Sequence, residues 1–107
     1  MIQRYLEGGG VIVRILNPNK LAISHIQIDT YSHGTFFDES YDDPDSGIEL
    51  KFDSDIANEL LDGANNVTID TQTDNFYTSF ECTDMNGKLD WTYHYYTINL
   101  DLLTPTN

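Results

Sequence analysis

The chain has 107 residues, of which 18 are acidic and only 5 are Lys or Arg, so its formal net charge is −13. A chain this acidic is expected to be repelled by nucleic acid and by anionic membranes, and cations or basic proteins are its natural partners. The length favours one domain over residues 1–107, and the 12% aromatic content indicates a folded domain, because acidic disordered segments are poor in aromatic residues.

Cysteine content and hydropathy indicate the cellular compartment in which the protein is expected. Cys82 is the only cysteine, so no intramolecular disulfide can form. The longest apolar runs, Val11 to Val13 and Ile15 to Leu16, fall far short of the roughly 20 residues that a membrane span needs. Residues 1–10 contain no apolar core of a signal peptide. These features predict a cytoplasmic protein that does not engage a membrane.

The first third of the chain has the pattern of two strands joined by a turn. The β-branched run at residues 11–16 predicts a strand, and the Asn-Pro-Asn-Lys sequence at 17–20 predicts a turn. A second strand is expected over residues 21–31. Its apolar positions change from odd to even midway, which predicts a bulge near Ser24 and His25. We expect these two strands to form a hairpin.

The middle of the chain is predicted to hold a long loop, a short strand and a helix. Residues 32–47 resemble a loop with at most a short strand at 35–37, and the alternation at 48–53 predicts a half-buried strand. Asp53 or Ser54 is expected to cap a helix that ends at Gly63. The apolar residues of this segment fall on one helical face: Ile56, Ala57, Leu60, Leu61 and Ala64.

The last third of the chain predicts a meander of strands. A strand at residues 67–71 is followed by a turn at 72–75, and then by a strand whose inward face carries Phe76, Phe80 and Cys82. Asn86-Gly87 is a strong hairpin signal.

A long final strand is expected over residues 89–102. Trp91, Tyr93 and Tyr95 share one of its faces, and Tyr96, Ile98, Leu100 and Leu102 share the other. Two apolar faces indicate a central strand or a second bulge near Tyr95-Tyr96. The predicted fold class is therefore α+β, an antiparallel sheet of five or six strands with one helix packed on it.

Residues 38–62, here called the acidic segment, carry ten acids against Lys51 alone. Alternate carboxylates on an extended chain stand roughly 6–7 Å apart, so a folded acidic surface can imitate a phosphate backbone. Phe37 and Tyr41 could anchor such a contact, since aromatic residues are favoured at binding hot spots. The predicted partner-binding residues are Phe37, Asp38, Glu39, Tyr41, Asp42, Asp43, Asp45, Glu49, Asp53, Asp55, Glu59 and Asp62.

Other uses of these residues are open from the sequence. The same carboxylates could form a solvated surface that only confers solubility. A calcium loop starting at Asp42 would place Gly47 correctly but Pro44 at a ligand position. His25, Asp29 and His33 would be spaced by about 13 Å from one to the next along one strand, too far apart to share an ion. We expect no metal site and no cofactor.

No sequence motif supports catalysis. Cys82 lies in an expected strand and faces inward, and nearby carboxylates would raise the pKa of its thiol. We therefore expect no catalytic residue and a protein that is not an enzyme. An alternative function is a structural or assembly protein that forms homo-oligomers through an aromatic face with Trp91 and Tyr95, its charge serving solubility.

In size, acidity and lack of catalytic features, the chain resembles small acidic inhibitors of phages and mobile elements, including anti-restriction and anti-CRISPR proteins that mimic DNA, and the acidic immunity proteins that neutralise nuclease toxins. The resemblance covers no defined motif, and no residue role follows from it. It implies a non-enzymatic inhibitor that binds a basic protein, such as a nuclease or another nucleic-acid-binding protein, and that does not bind nucleic acid itself.

Overall fold

A computed structural model describes residues 9–83 and 92–106. The fold is α+β and consists mostly of strands. The strands are β1 (Gly10–Leu16), β2 (Ile23–Thr30), β3 (Gly34–Ser40), β4 (Ile48–Asp53), β5 (Ala64–Thr71), β6 (Asn75–Glu81) and β7 (Tyr93–Asn99). The helix α1 (Ser54–Ala57) is followed by a 3-10 turn at Asn58–Leu61, and a second 3-10 turn, Leu100–Leu102, follows β7.

The strands form two sheets, so the expectation of a single antiparallel sheet is wrong. A three-stranded sheet has the order β4-β1-β7, and a four-stranded sheet has the order β3-β2-β5-β6. The pair β1 and β7 is parallel, whereas the other pairs are antiparallel. Local patterns mark the strands, but pairing between segments some 80 residues apart is not visible in them.

The predicted hairpin of the first two strands is also wrong, because β1 and β2 lie in different sheets. The turn between them does form: Lys20 N donates to Asn17 O at 3.1 Å. The Asn17 side chain is buried and exchanges hydrogen bonds with the backbone of Leu21, at 2.7 and 3.0 Å. This anchored six-residue connection is longer than the two-residue turns that join hairpin strands, and it carries the chain to the other sheet.

One cluster of buried side chains joins the two sheets. In β1 the inward residues are Val11, Val13 and Ile15, and in β2 they are Ile26 and Ile28. The remaining buried members are Ile23, Leu50, Phe52, Ala57, Leu60, Val67, Ile69, Phe76, Cys82, Ile98 and Leu100. Alternation of side chains along each strand turns one face of each sheet towards this core.

Two bulges adjust the four-stranded sheet. Ser24 is an extra residue in β2 opposite β5, because Ile23 pairs with Thr71 while His25 pairs with Asp70. This confirms the bulge predicted from the change of apolar phase. The second bulge, at Phe36 in β3, lies between the residues that pair with Ile28 and Asp29, and it belongs to a strand that runs to Ser40 rather than ending at residue 37.

The helix is much shorter than predicted. It has four residues, and its continuation is a 3-10 turn. Ala57 and Leu60 face the core as expected, but Ile56 is 46% exposed. Only ten residues separate β4 from β5, and so short a segment gains little from helical cooperativity. Packing against the core therefore determines which residues of the segment form an α-helix and which form a 3-10 turn.

The predicted faces of the last strand are largely confirmed within the described residues. Tyr96 and Ile98 face the core, while Leu102 is exposed, contrary to expectation. The Phe80 ring stacks on the Tyr96 ring, with 5.3 Å between the two ring centroids. β7 is the outer strand of its sheet as described and pairs with β1 without a register shift, so neither a central position nor a second bulge is present there. Trp91 and Asn86-Gly87 lie outside the described residues.

Gly10 provides a test of how closely β1 and β4 are joined. Its φ is +146°, and an added Cβ would lie 2.1 Å from the carbonyl oxygen of Phe52. Gly34 has a φ of +74°, but no atom lies within 4 Å of its added Cβ. We expect Gly10→Ala to lower the free energy of unfolding by more than about 3 kcal/mol and Gly34→Ala by about 1 kcal/mol. Urea denaturation measures both, and equal losses would contradict the close approach.

Candidate functional site

The acidic segment follows the outer strands of both sheets. It starts in the last residues of β3, crosses between the sheets at residues 41–47, continues along β4 and ends after the 3-10 turn at Asp62. Both β3 and β4 are outer strands of their sheets within the described residues. The twelve predicted partner-binding residues therefore lie along one continuous path at the edges of the fold.

The crossing at residues 41–47 is held to β2 by backbone hydrogen bonds. Tyr41 N donates to Ser24 O at 2.8 Å, and Ile23 N donates to Pro44 O at 3.0 Å. Asp43 has a φ of +59°, a left-handed conformation that aspartate tolerates better than most residues. Its carboxylate accepts a hydrogen bond from the Gln72 amide. The crossing thus has a defined path with its charged side chains exposed.

Five of the ten carboxylates in the acidic segment already have partners within the protein. Asp38 contacts His25, Asp43 accepts from Gln72, Glu49 pairs with Arg14, Asp53 accepts from Tyr93, and Asp62 accepts from Ser32 with His33 close by. These carboxylates stabilise local structure or offset a neighbouring charge. Their availability to another protein is reduced accordingly.

The other five carboxylates make no side-chain hydrogen bond or ion pair within the described part of the chain. They are Glu39, Asp42, Asp45, Asp55 and Glu59. The first four are exposed, and Glu59 is half-buried. Because no internal cation offsets them, their field extends into solvent. We refer to them below as the free carboxylates.

The two predicted aromatic anchors are both half-buried. The Phe37 ring packs edge to face on Phe52, with centroids 5.6 Å apart. The pKa of Tyr41 is raised, first by burial and then by the nearby charge of Glu39. Both rings therefore take part in the internal packing, and only their remaining surface is available to a partner.

Within the described residues, Arg14 and Lys51 belong to the three-stranded sheet, and Lys20 lies in the turn before β2. No Lys or Arg occurs in the four strands of the four-stranded sheet. On the outer face of the three-stranded sheet, Arg14 lies over the Tyr95 ring at 4.5 Å from its centroid, and Lys51 lies over the Tyr93 ring at 4.9 Å. The strands of the four-stranded sheet, β3 among them, therefore carry acidic residues and His25 but no Lys or Arg.

Gly10 lies between two residues that form a hydrogen bond across β1. In the register it lies between Asp53 of β4 and Tyr93 of β7. The Tyr93 hydroxyl reaches across the position of Gly10 and donates to Asp53 at 2.7 Å. This hydrogen bond raises the pKa of Tyr93. Asp53 is therefore used as a cross-strand acceptor, and it makes no side-chain cap for α1.

His25 forms a three-strand contact that the sequence did not reveal. Its Nε2 lies 2.6 Å from Asp38 Oδ1 in β3, and its Nδ1 lies 3.2 Å from Asp70 Oδ2 in β5. Only the charged imidazolium has N–H groups at both positions. The hydrogen bond to Asp38 raises the pKa of His25 above 6.5, Asp70 adds to the effect, and partial burial opposes it. His25 thus joins β3 to the inner strands.

The residues considered for metal binding are used in other contacts. Asp29 accepts from Gln27 at 3.0 Å, and His33 lies 3.7 Å from Asp62. Over residues 9–83 and 92–106, no group of three or more His, Cys, Asp or Glu side chains is arranged to hold a metal ion. Cys82 is buried, in line with its expected inward position.

Comparison with models of protein families, with curated proteins and with solved structures finds no match to this chain. The geometry of the molecule is therefore the basis for any functional argument. Within the described ranges, no helix has the length and apolar character to cross a membrane.

The contact of His25 with two carboxylates predicts a pH-dependent stability. A raised pKa means that the stabilisation is fully present below about 6.5, the unfolded value, and is lost as the pH rises through the folded value. We expect His25→Gln to cost about 0.5–1 kcal/mol at pH 6 and much less at pH 9. Urea denaturation at both pH values measures this difference.

The matched control for His25 is His33→Gln, which changes a more exposed histidine beside a single carboxylate. This variant should keep the pH dependence that is assigned to His25. An equal loss of stability at pH 6 and pH 9 in His25→Gln would contradict the three-strand contact.

Proposed function

We propose that this chain is a small, acidic, non-enzymatic inhibitor or immunity-type protein that occupies the nucleic-acid site of a basic protein, in the manner of a DNA mimic. The observation that supports the proposal most directly is the set of five free carboxylates on a backbone with a defined path. Charge alone would be compatible with a solubility role. Carboxylates without internal partners, placed in succession on β3, on the crossing at residues 41–47 and on α1 with its 3-10 turn, are suited to replace a row of phosphates.

The defined path of the acidic segment matters for the energetics of binding. A flexible acidic tail loses conformational entropy when it is ordered by a partner, whereas a preorganised surface avoids most of that cost. The crossing at residues 41–47 is bonded to β2, and β3 is held by the His25 contact and by ring packing on Phe52. These contacts favour a surface that binds without reordering.

The charge asymmetry supports the same function. From residue 21 to residue 83 the chain carries fourteen acids and a single base, Lys51, and the Lys51 ammonium lies over Tyr93. A basic partner approaching Glu39, Asp42 and Asp45 would meet no Lys or Arg of the four-stranded sheet. Long-range attraction of this kind speeds association and weakens as ionic strength rises.

The alternative function, self-assembly through the aromatic face of the last strand, has less support. Tyr95 is 52% exposed, but Arg14 lies over its ring and Lys51 over that of Tyr93. Two copies meeting through this face would have to desolvate these cations or bring them together. Interfaces formed by apolar contact are usually depleted of charge at their centre.

The proposal predicts that the free carboxylates determine binding. Replacing Glu39 by Gln and both Asp42 and Asp45 by Asn removes three free charges without breaking a described contact. We expect this triple variant to bind the partner about ten- to a hundredfold more weakly, and the dependence of affinity on salt to become shallower. The partner is obtained from nuclease-treated host lysate at low salt and eluted with a salt step.

A matched control removes the same number of charges elsewhere. The control combines Asp74→Asn, Glu81→Gln and Asp101→Asn. Glu81 lies in β6, the outer strand opposite β3, and Asp74 lies in the turn just before β6. Asp101 lies in the 3-10 turn after β7. This control should bind like the wild type, and the wild-type protein should displace DNA from the captured partner. If both triple variants bind equally, or only further copies of this chain are recovered, the proposed site is wrong.

A further inference from the structure

β3 is an outer strand of the four-stranded sheet as far as the described residues show. It pairs with β2 on one side, and within the described residues no strand pairs with it on the other. The opposite outer strand, β6, differs in this respect: the backbone N–H of Thr106 donates to Asn75 O at 2.8 Å. An unpaired strand side presents N–H and C=O groups that another extended chain can bond.

The register indicates which backbone groups of β3 point outward. Tyr41 N donates to Ser24 O across the pair, in continuation of the register in which Ser40 lies opposite His25. Backbone polar groups of an antiparallel strand alternate in direction. Glu39 therefore directs its N–H and C=O towards β2, whereas Asp38 and Ser40 direct theirs away from it. Both of these residues are exposed.

The charge on β3 selects what could pair with it. Asp38 and Glu39 belong to the strand, and Asp42 follows it, while the whole sheet lacks Lys and Arg. A second copy of this chain would bring the same acids against themselves, which disfavours pairing. A segment rich in Lys or Arg would be attracted instead. The charge thus excludes self-pairing and favours a cationic strand.

We propose that β3 binds an extended, Lys- or Arg-bearing segment of the partner protein as a fifth strand of the four-stranded sheet. This inference rests on the proposed function and specifies how the basic partner is held. Main-chain hydrogen bonds at Asp38 and Ser40 supply affinity, and cationic side chains of the added strand reach the carboxylates of β3 and of the crossing that follows it.

The edge is already fixed in the conformation that strand addition needs. His25 bonds to Asp38 from the neighbouring strand. On the core side, Phe36 and Phe37 pack on Phe52 with centroid distances of 4.9 and 5.6 Å. Little ordering of β3 is therefore required when a partner strand pairs with it. The bulge at Phe36 limits the available length to the end of the strand that carries the acids.

The test uses a synthetic ten-residue peptide that alternates lysine and threonine, added to the isotope-labelled wild-type protein at low salt. Hydrogen exchange followed by NMR should show that the amides of Asp38 and Ser40 exchange rapidly in the free protein. Their exchange should slow by about tenfold or more when the peptide is bound. The amides of Glu39 and Tyr41 are already bonded to β2 and should change little.

Two control peptides separate strand addition from attraction between charges. The first control is the same peptide with N-methyl groups on consecutive central residues. It keeps its charge but loses backbone N–H donors on both sides of the strand that it would form. It should bind about tenfold more weakly than the unmodified peptide. A peptide that alternates glutamate and threonine should not bind.

Three outcomes would overturn strand addition. In the first, the methylated peptide binds equally well and Asp38 and Ser40 gain no protection; the acidic surface would then attract cations through side chains alone, and the proposed function would stand. In the second, the lysine peptide does not bind. The proposed function is then tested separately, by the binding of the two triple variants to the captured partner. In the third, these amides become protected by self-association in the absence of peptide.

Discussion

The packing of Phe36 and Phe37 on Phe52 fixes the acidic edge of the molecule. Adjacent residues of a regular strand point to opposite faces, so both rings can reach the same side only because β3 bulges at Phe36. The rings meet Phe52 edge to face, at 65° and 76°, and such pairs contribute about 0.5–1.5 kcal/mol each beyond their burial. This contact joins outer strands of two different sheets. The position of the acidic segment, which runs from one of these strands to the other, depends on it.

The carboxylates of the acidic segment divide into two groups with different physical roles. Those with internal partners, such as Asp38 beside His25 and Glu49 beside Arg14, hold strands together or offset a cation. The free carboxylates leave like charges close to one another without compensation, which costs stability through repulsion. A basic partner would relieve that repulsion on binding. The same division explains why removing three acids from the segment and removing three from elsewhere are expected to differ, although net charge changes equally.

Local features of the structure could be predicted from the sequence, and long-range features could not. The change of apolar phase at Ser24 and the alternation of Tyr93, Tyr95, Tyr96 and Ile98 are recorded in neighbouring residues, and the structure confirms them. The pairing of β1 with β7, and the contact of His25 with residues of two other strands, depend on registers that connect distant segments. Helical periodicity at residues 56–64 was misleading, because the ten-residue connection between β4 and β5 winds as four α-helical residues followed by a 3-10 turn.

The most direct measurement is zero-length cross-linking of the protein to its captured partner, with a carbodiimide that joins carboxylates to lysines in contact. Mass spectrometry then identifies the acids involved. We expect cross-links from Glu39, Asp42, Asp45 and their neighbours in the acidic segment to lysines that line the nucleic-acid site of the partner. Cross-links concentrated at Asp74, Glu81 or Asp101, or lysines remote from that site, would contradict the account.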